Sequence, residues 1–240
     1  MIAVEATDEC MNIVLRRPER ANALSPAMVE SLTVAIDEAV ERGVHYVTIR
    51  GEGKHFCSGF DLAPDEDGVL NLRFMQLERL LAKIAYAPVP IIACVNGAAI
   101  GAGADLVVAC TFRIGTTNVT LRFPGPRFGV ILGTHRLTRL VGGDSACRLL
   151  LLQEKVSAAD ALNMGLLSQV VDVDNDLIEA VREVAQRLAV IDAETKASIL
   201  RIVRSGDATE ELGELYLSTS RPGLRDRITE YSMAQKILHQ

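Results

Sequence analysis

An α/β fold with buried strands is what this sequence predicts, on three observations. Strand-like and helix-like stretches alternate through the first 110 residues, the order that lays helices over a sheet. VPIIACVNG is almost wholly apolar and HYVTIRG is rich in β-branched and aromatic residues, and both read as buried strands. Aromatics make up only 4% of the chain and Trp is absent, so Leu, Val, Ile and Ala must fill the interior.

The elements follow in order. IAVEA and MNIVLRR are β-rich runs parted by TDE, and RPERANALSP is a polar, Pro-containing loop. Ser25 suits a helix N-cap with Pro26 at the first helical position, and Met28, Leu32, Ile36 and Val40 recur at helical spacing until Gly43 ends the run. HYVTIRG is a buried strand, GEGKHFCSGFD a glycine-rich connection, and Val69 to Ala85 an amphipathic helix. VPIIACVNG is a second buried strand, and GAAIGAGAD leads into a helix that ends near Cys110. After residue 134 the pattern is almost all helix, with breaks around 205–225.

Composition removes several function classes. A net charge of −6 argues against nucleic acid, because a phosphate-tracking surface needs a concentrated basic footprint. The charge-free run from Ala85 to Ala104 has membrane-span length, but Pro88, Pro90, Asn96 and three glycines would break such a helix, so no membrane span is expected. Five cysteines, odd in number and set mostly in apolar runs, read as reduced thiols. With no signal-peptide pattern at the N-terminus, a cytoplasmic location is expected. The four histidines lie far apart, without HExxH or CxxC, so no metal site is expected. No G-x-S-x-G elbow occurs, and GAGADL lacks the third glycine of a dinucleotide fingerprint.

Two glycine-rich strand-to-helix connections remain, CSGFD and NGAAIGAGAD. Each can present backbone N–H groups where a helix starts, and two such donors converging on one point form an oxyanion hole for a polarised carbonyl. Small residues let a substrate approach the backbone closely. Two ordinary tight turns would explain the same residues. Asp105 likewise has two readings: a carboxylate favoured in the first turn of a helix by about 0.3–1 kcal/mol, or a catalytic group.

The stretches RRPERANALS, GKHFCSGFDL, PVPIIACVNGAAIGAGADLVVACTFRIG, GTHRLTRLVG and SAADALNMGLLSQVV, in that order, resemble the crotonase (enoyl-CoA hydratase/isomerase) superfamily. The resemblance implies a spiral of ββα turns with a C-terminal helical trimerisation region, giving a core over 1–185 and an oligomerisation region over 186–240. It implies a homotrimer or dimer of trimers binding acyl-CoA, with coenzyme A entering as part of the substrate and no separate cofactor. The oxyanion-hole N–H groups fall on Phe60 and Ala102, and Phe60 stands where most members have Ala.

Family hydratases set two glutamates across the double bond. Here the first position is Asp105, one methylene shorter, and the second falls on Gly125, in a loop about three residues shorter than usual. Two-glutamate hydration is therefore not expected, and Asp105 becomes the sole acid/base in a lyase or isomerase reaction of fatty acid metabolism. The alternative is an acyl-CoA-binding protein without catalysis. Expected substrate-binding positions are Arg20, Ala23, Asp61, Leu62, Gly101, Gly125, Arg127 and His135. Arg16, Arg17 and Arg20 supply positive charge for the CoA phosphates, and Lys236 is placed beside a neighbouring subunit's CoA. His55 is read as structural, and Asp144 and the acids near 64–67 are not expected to replace the missing second carboxylate.

Overall fold

The computed structural model describes residues 1–62, 67–204 and 208–238. It opens with β1 (Ile2–Ala6) and β2 (Cys10–Leu15), an antiparallel pair with Ile2 opposite Leu15. Alternation in β2 places Met11, Ile13 and Leu15 in the core. A short 3-10 turn leads to α1 (Pro26–Arg42). Ser25 Oγ accepts the Met28 N–H at 3.3 Å, Pro26 sits in the first turn, and Gly43 closes the helix at φ 64°. Val40, expected inside, is exposed, and Ala39 takes its place. Residues four apart drift by about 40° on a 3.6-residue helix, so three such steps carry Val40 off the buried face.

From here each turn of chain deposits one strand in each of two sheets and then a helix. The first comprises β3 (Tyr46–Gly51), β4 (His55–Cys57) and α2 (Asp67–Ala85), and the second β5 (Ile91–Val95), β6 (Ala98–Ile100) and α3 (Ala102–Ala109). The third begins with β7 (Phe112–Thr116) and β8 (Thr120–Arg122), then a 3-10 turn over Gly125–Phe128 and α4 (Thr134–Val141). There follow α5 (Gly143–Leu151), β9 (Val156–Ser157), α6 (Ala158–Asn163), β10 (Gln169–Val171), α7 (Asp174–Ala189), α8 (Ala193–Val203), α9 (Ala208–Thr219) and α10 (Leu224–Leu238).

Six strands form one sheet in the order β1-β2-β3-β5-β7-β10, parallel except for β1 against β2. The other runs β4-β6-β8-β9, parallel except for β9. This is the expected spiral of ββα turns. The strands of the second sheet are two or three residues long, too short to show a period, so the sequence reads β4 and β6 as glycine-rich connections. All five residues of β5 and all eight of α3 are buried.

The charge-free run 85–104 folds as the end of α2, then β5, β6 and the start of α3, and among the described residues no helix is long and apolar enough to cross a membrane. Burial pushes the Cys57, Cys94 and Cys110 thiols to about 12, which keeps them protonated and unreactive. The expected division at residue 185 falls inside α7. Beyond it, α9 returns to α2, where Thr219 Oγ1 donates to Asn71 Oδ1 at 2.8 Å, and α10 packs on the Gly125–Phe128 turn.

Candidate active site

Backbone geometry makes the first half of the site. Asn22, fully buried and at φ 56°, pins the RPERANALS loop: its amide donates to the carbonyls of Glu52 and His55 at 3.0 and 2.8 Å, and its Oδ1 accepts the Arg17 N–H at 2.9 Å. The loop then zips onto CSGFD. Ser58 N–H donates to Ala21 O at 2.9 Å, Leu24 N–H to Gly59 O at 2.7 Å, and Asp61 N–H to Leu24 O at 3.1 Å. The glycines are required by contact. A Cβ at Gly103 would lie 2.3 Å from Cys57 O, and one at Gly59 would lie 2.5 Å from Ile100 O and 3.3 Å from Ala102 N. So the Gly59–Phe60 corner sits directly against the first amide of α3. Among the described residues no hydrogen bond engages the N–H of Phe60 or of Ala102.

The Phe60 ring stacks on Phe74 of α2, with centroids 4.2 Å apart and planes at 13°, and the Arg73 guanidinium lies over it at 4.6 Å. Arg73 Nη2 also donates to Asp61 O at 2.7 Å, and Arg17 pairs with the Asp61 carboxylate at 2.6 Å. Rings and guanidinia together brace the Gly59–Phe60 corner.

Asp105 is buried in the first turn of α3, where its N–H donates to Gly101 O at 2.9 Å. Its carboxylate reaches Gly133, the residue before α4: a Cβ there would stand 2.8 Å from Asp105 Oδ1 and 3.5 Å from Arg136 Nη2. Arg136 makes a bidentate pair with Glu78 of α2, both bonds 2.7 Å, with both side chains almost fully buried. Behind the site, then, lies an ion pair that anchors α4 to α2, and Asp105 sits on its near side.

These parts border an apolar cavity of about 390 Å³. Of the expected residues, Phe60, Ala102, Asp105, Leu62, Gly101 and Gly125 line it. Arg20, Ala23, Asp61, Arg127 and His135 do not. His135 points outward from α4, Asp61 is turned to Arg17, and Arg127 is exposed with its guanidinium 5.7 Å from the Tyr231 ring. Ala23 O accepts from Arg17 at 3.2 Å. Arg20 lies exposed at the rim, its carbonyl accepting from Ser58 Oγ at 3.2 Å. Arg16 pairs with Glu52 at 3.1 Å. Asp144 is exposed in the first turn of α5, and His55 is exposed on β4. Asp65 and Glu66, and the side chains of Asp67 and Lys236, lie outside the described residues.

Gly125 carries no acid, and its backbone is committed to the 3-10 turn: Val130 N–H donates to Gly125 O at 3.1 Å, and a Cβ at 125 would meet Val130 O at the same distance. Sequence reasoning missed the remaining walls, which are Phe74, Thr134, Arg221 and Tyr231 among others. Burial raises the Tyr231 hydroxyl above its ordinary pKa, against the pull of Arg122 and Arg127. Nothing near Phe74 or Tyr231 in the chain marks them, because a helix side chain declares its neighbours only once the helix is docked.

Repeated ββα turns, with two glycine-rich loops meeting at the rim of an apolar cavity, define a crotonase-fold protein. Comparison with known proteins agrees. The family model described as Enoyl-CoA hydratase/isomerase matches residues 5–209. The Bacillus subtilis protein named "Probable enoyl-CoA hydratase" is 32% identical over 228 residues, covering 91% of this chain and 88% of the relative. The human protein named "Enoyl-CoA hydratase domain-containing protein 3, mitochondrial" is 33% identical, covering 89% and 72%. A solved Bordetella parapertussis structure, bearing the name of an enoyl-CoA hydratase/isomerase, superposes with a TM-score of 0.93 at 31% identity, covering 96% and 97% of the two chains. The chain belongs to the enoyl-CoA hydratase/isomerase family.

Proposed function

We propose that this protein is an enzyme that forms an enolate from an acyl-CoA thioester. One observation carries the reading: the Gly59–Phe60 corner and the Ala102 amide meet at the rim of the same cavity that holds Asp105. The Phe60 and Ala102 N–H groups would grip the thioester oxygen. Asp105 would take a proton from the carbon next to the thioester carbonyl, and the bonding pair would shift onto that oxygen. Two preorganised donors in a dry site contribute roughly 3 kcal/mol each to such an oxyanion. Returning the proton to the same carbon or to one further along completes an isomerase-type cycle with a single acid/base.

Ordinary hydration by two glutamates finds no support at Gly125. A second reading, acyl-CoA binding without catalysis, draws on that same residue. The CoA phosphates would lie toward Arg20, whose guanidinium has no partner among the described residues. Assembly as a trimer or dimer of trimers through 186–240 is part of the proposal, as is a cytoplasmic setting.

Hydrogen–deuterium exchange at the α-carbon of butyryl-CoA, followed by NMR in heavy water, tests the reading. Exchange is expected with the wild type and is expected to fall about 100-fold or more in Asp105→Asn, the usual scale of a positioned base. Binding without exchange would transfer the case to the non-catalytic reading. Absence of acyl-CoA binding by calorimetry would remove both.

A further inference from the structure

The chain has six Phe, four Tyr and no Trp, and half of these rings line one cavity: Phe60, Phe74, Phe123, Phe128 and Tyr231. They come from five separate places: the CSGFD loop, α2, the segment after β8, the 3-10 turn and α10. Outside this cavity the described core is mostly Leu, Ile, Val and Ala with a few Met and Cys, and among its rings Phe56 is fully buried. Aliphatic side chains such as Leu62, Ile100, Leu132 and Leu150 share the lining and would serve a flexible acyl chain, and the five rings are added to them. In a chain with ten aromatic residues, that share of rings sets the cavity apart from the rest of the core.

The rings are also held in place. Phe60 stacks flat on Phe74 under the Arg73 guanidinium. Phe128 and Tyr231 meet at 5.2 Å with planes at 50°, and Arg127 lies over Tyr231. Arg227 Nε, by donating to Phe128 O at 3.0 Å, ties that second pair to α10. Aromatic contacts prefer stacked and tilted geometries of this kind, and each adds a factor of roughly 2 to 10 in affinity beyond the area buried. Fixed rings favour a rigid planar guest, which loses little freedom on binding, over a linear chain that must freeze several bonds.

Resting on the acyl-CoA reading above, we infer that the acyl group this site takes is aromatic, an aryl-substituted short acyl thioester rather than a linear fatty acyl one. The thioester oxygen lies at the Phe60 and Ala102 amides, and the ring extends among the aromatic side chains.

Calorimetry with the full chain compares trans-cinnamoyl-CoA with trans-2-nonenoyl-CoA, which share nine acyl carbons and the same conjugated double bond, and with free CoA. The wild type is expected to bind the cinnamoyl ester about tenfold more tightly than the nonenoyl ester. Phe60→Leu keeps the backbone donor and removes the ring, so the ratio is expected to drop to about twofold. Phe74→Leu does the same from α2, and Phe60→Tyr retains the preference. Equal or tighter binding of the nonenoyl ester overturns the inference and leaves the acyl-CoA reading standing, as does a ratio unmoved by both leucine variants. No binding of either ester overturns the two together.

Discussion

The two sides of the cavity are built by different means. On the Phe60 and Ala102 side, three loops are joined by backbone hydrogen bonds, and the closeness of Gly59, Gly97 and Gly103 to neighbouring carbonyls leaves no room for a side chain. On the other side, the Gly125–Phe128 turn and α10 are joined by side chains: the Phe128–Tyr231 ring contact and the Arg227 bond to Phe128 O. The first side positions backbone amides, with the Phe60–Phe74 stack beside them, and the second is held by side chains alone. Under the proposed function, the backbone of the first side would serve the reaction, and the rings of both sides, Phe60 and Phe74 on one and Phe128 and Tyr231 on the other, would choose the acyl group.

Behind both sides the Glu78–Arg136 pair ties α2 to α4, and its loss has the largest expected effect. Glu78→Gln takes the carboxylate out of a buried bidentate pair, and is expected to destabilise the protein by about 3–5 kcal/mol in urea titration. A loss under about 1 kcal/mol would show that the link between α2 and α4 is not electrostatic.

Gly103→Ala strikes the backbone side alone. Alanine raises helix propensity by about 1 kcal/mol. The new Cβ, however, would press to 2.3 Å from Cys57 O and 2.8 Å from Cys57 Cβ, and forcing two packed backbones apart costs more. Net destabilisation of about 2 kcal/mol is expected from thermal unfolding, with α-proton exchange largely abolished because the two amides part. A neutral or stabilising result would break the contrast, since the loops would then be pliable.

The smallest effect on stability is expected on the other side. Arg227→Ala removes bonds to Phe128 O at 3.0 Å and Pro222 O at 2.6 Å, and is expected to lower stability by about 1 kcal/mol. Butyryl-CoA exchange should survive, while the preference of the calorimetric titration for the cinnamoyl ester should weaken. If exchange fails before the preference does, the division of labour between the sides is wrong.

Much of this was legible beforehand, and the reasons differ by residue. Ser25, Pro26 and Gly43 bracket α1 because caps act on their own helix, within three or four residues. The glycines of CSGFD and GAAIGAGAD are visible because a missing side chain is itself a local statement. A four-residue step extended too far misplaces Val40, and β4, β6 and β8 are too short to show a strand period.

The sequence by itself determined the α/β alternation, the two glycine-rich loops and the presence of Asp105 beside one of them, since each is encoded by near neighbours in the chain. Only the tertiary structure decided that Phe60 stacks on Phe74, that Tyr231 returns from the last helix to the cavity, and that Arg136 and Glu78 meet behind Asp105. Those contacts join residues separated by 14 to more than 100 positions, and no local preference specifies them. They form because docking α2, α4 and α10 on the spiral buries apolar faces, and the side chains meet where that burial leaves them.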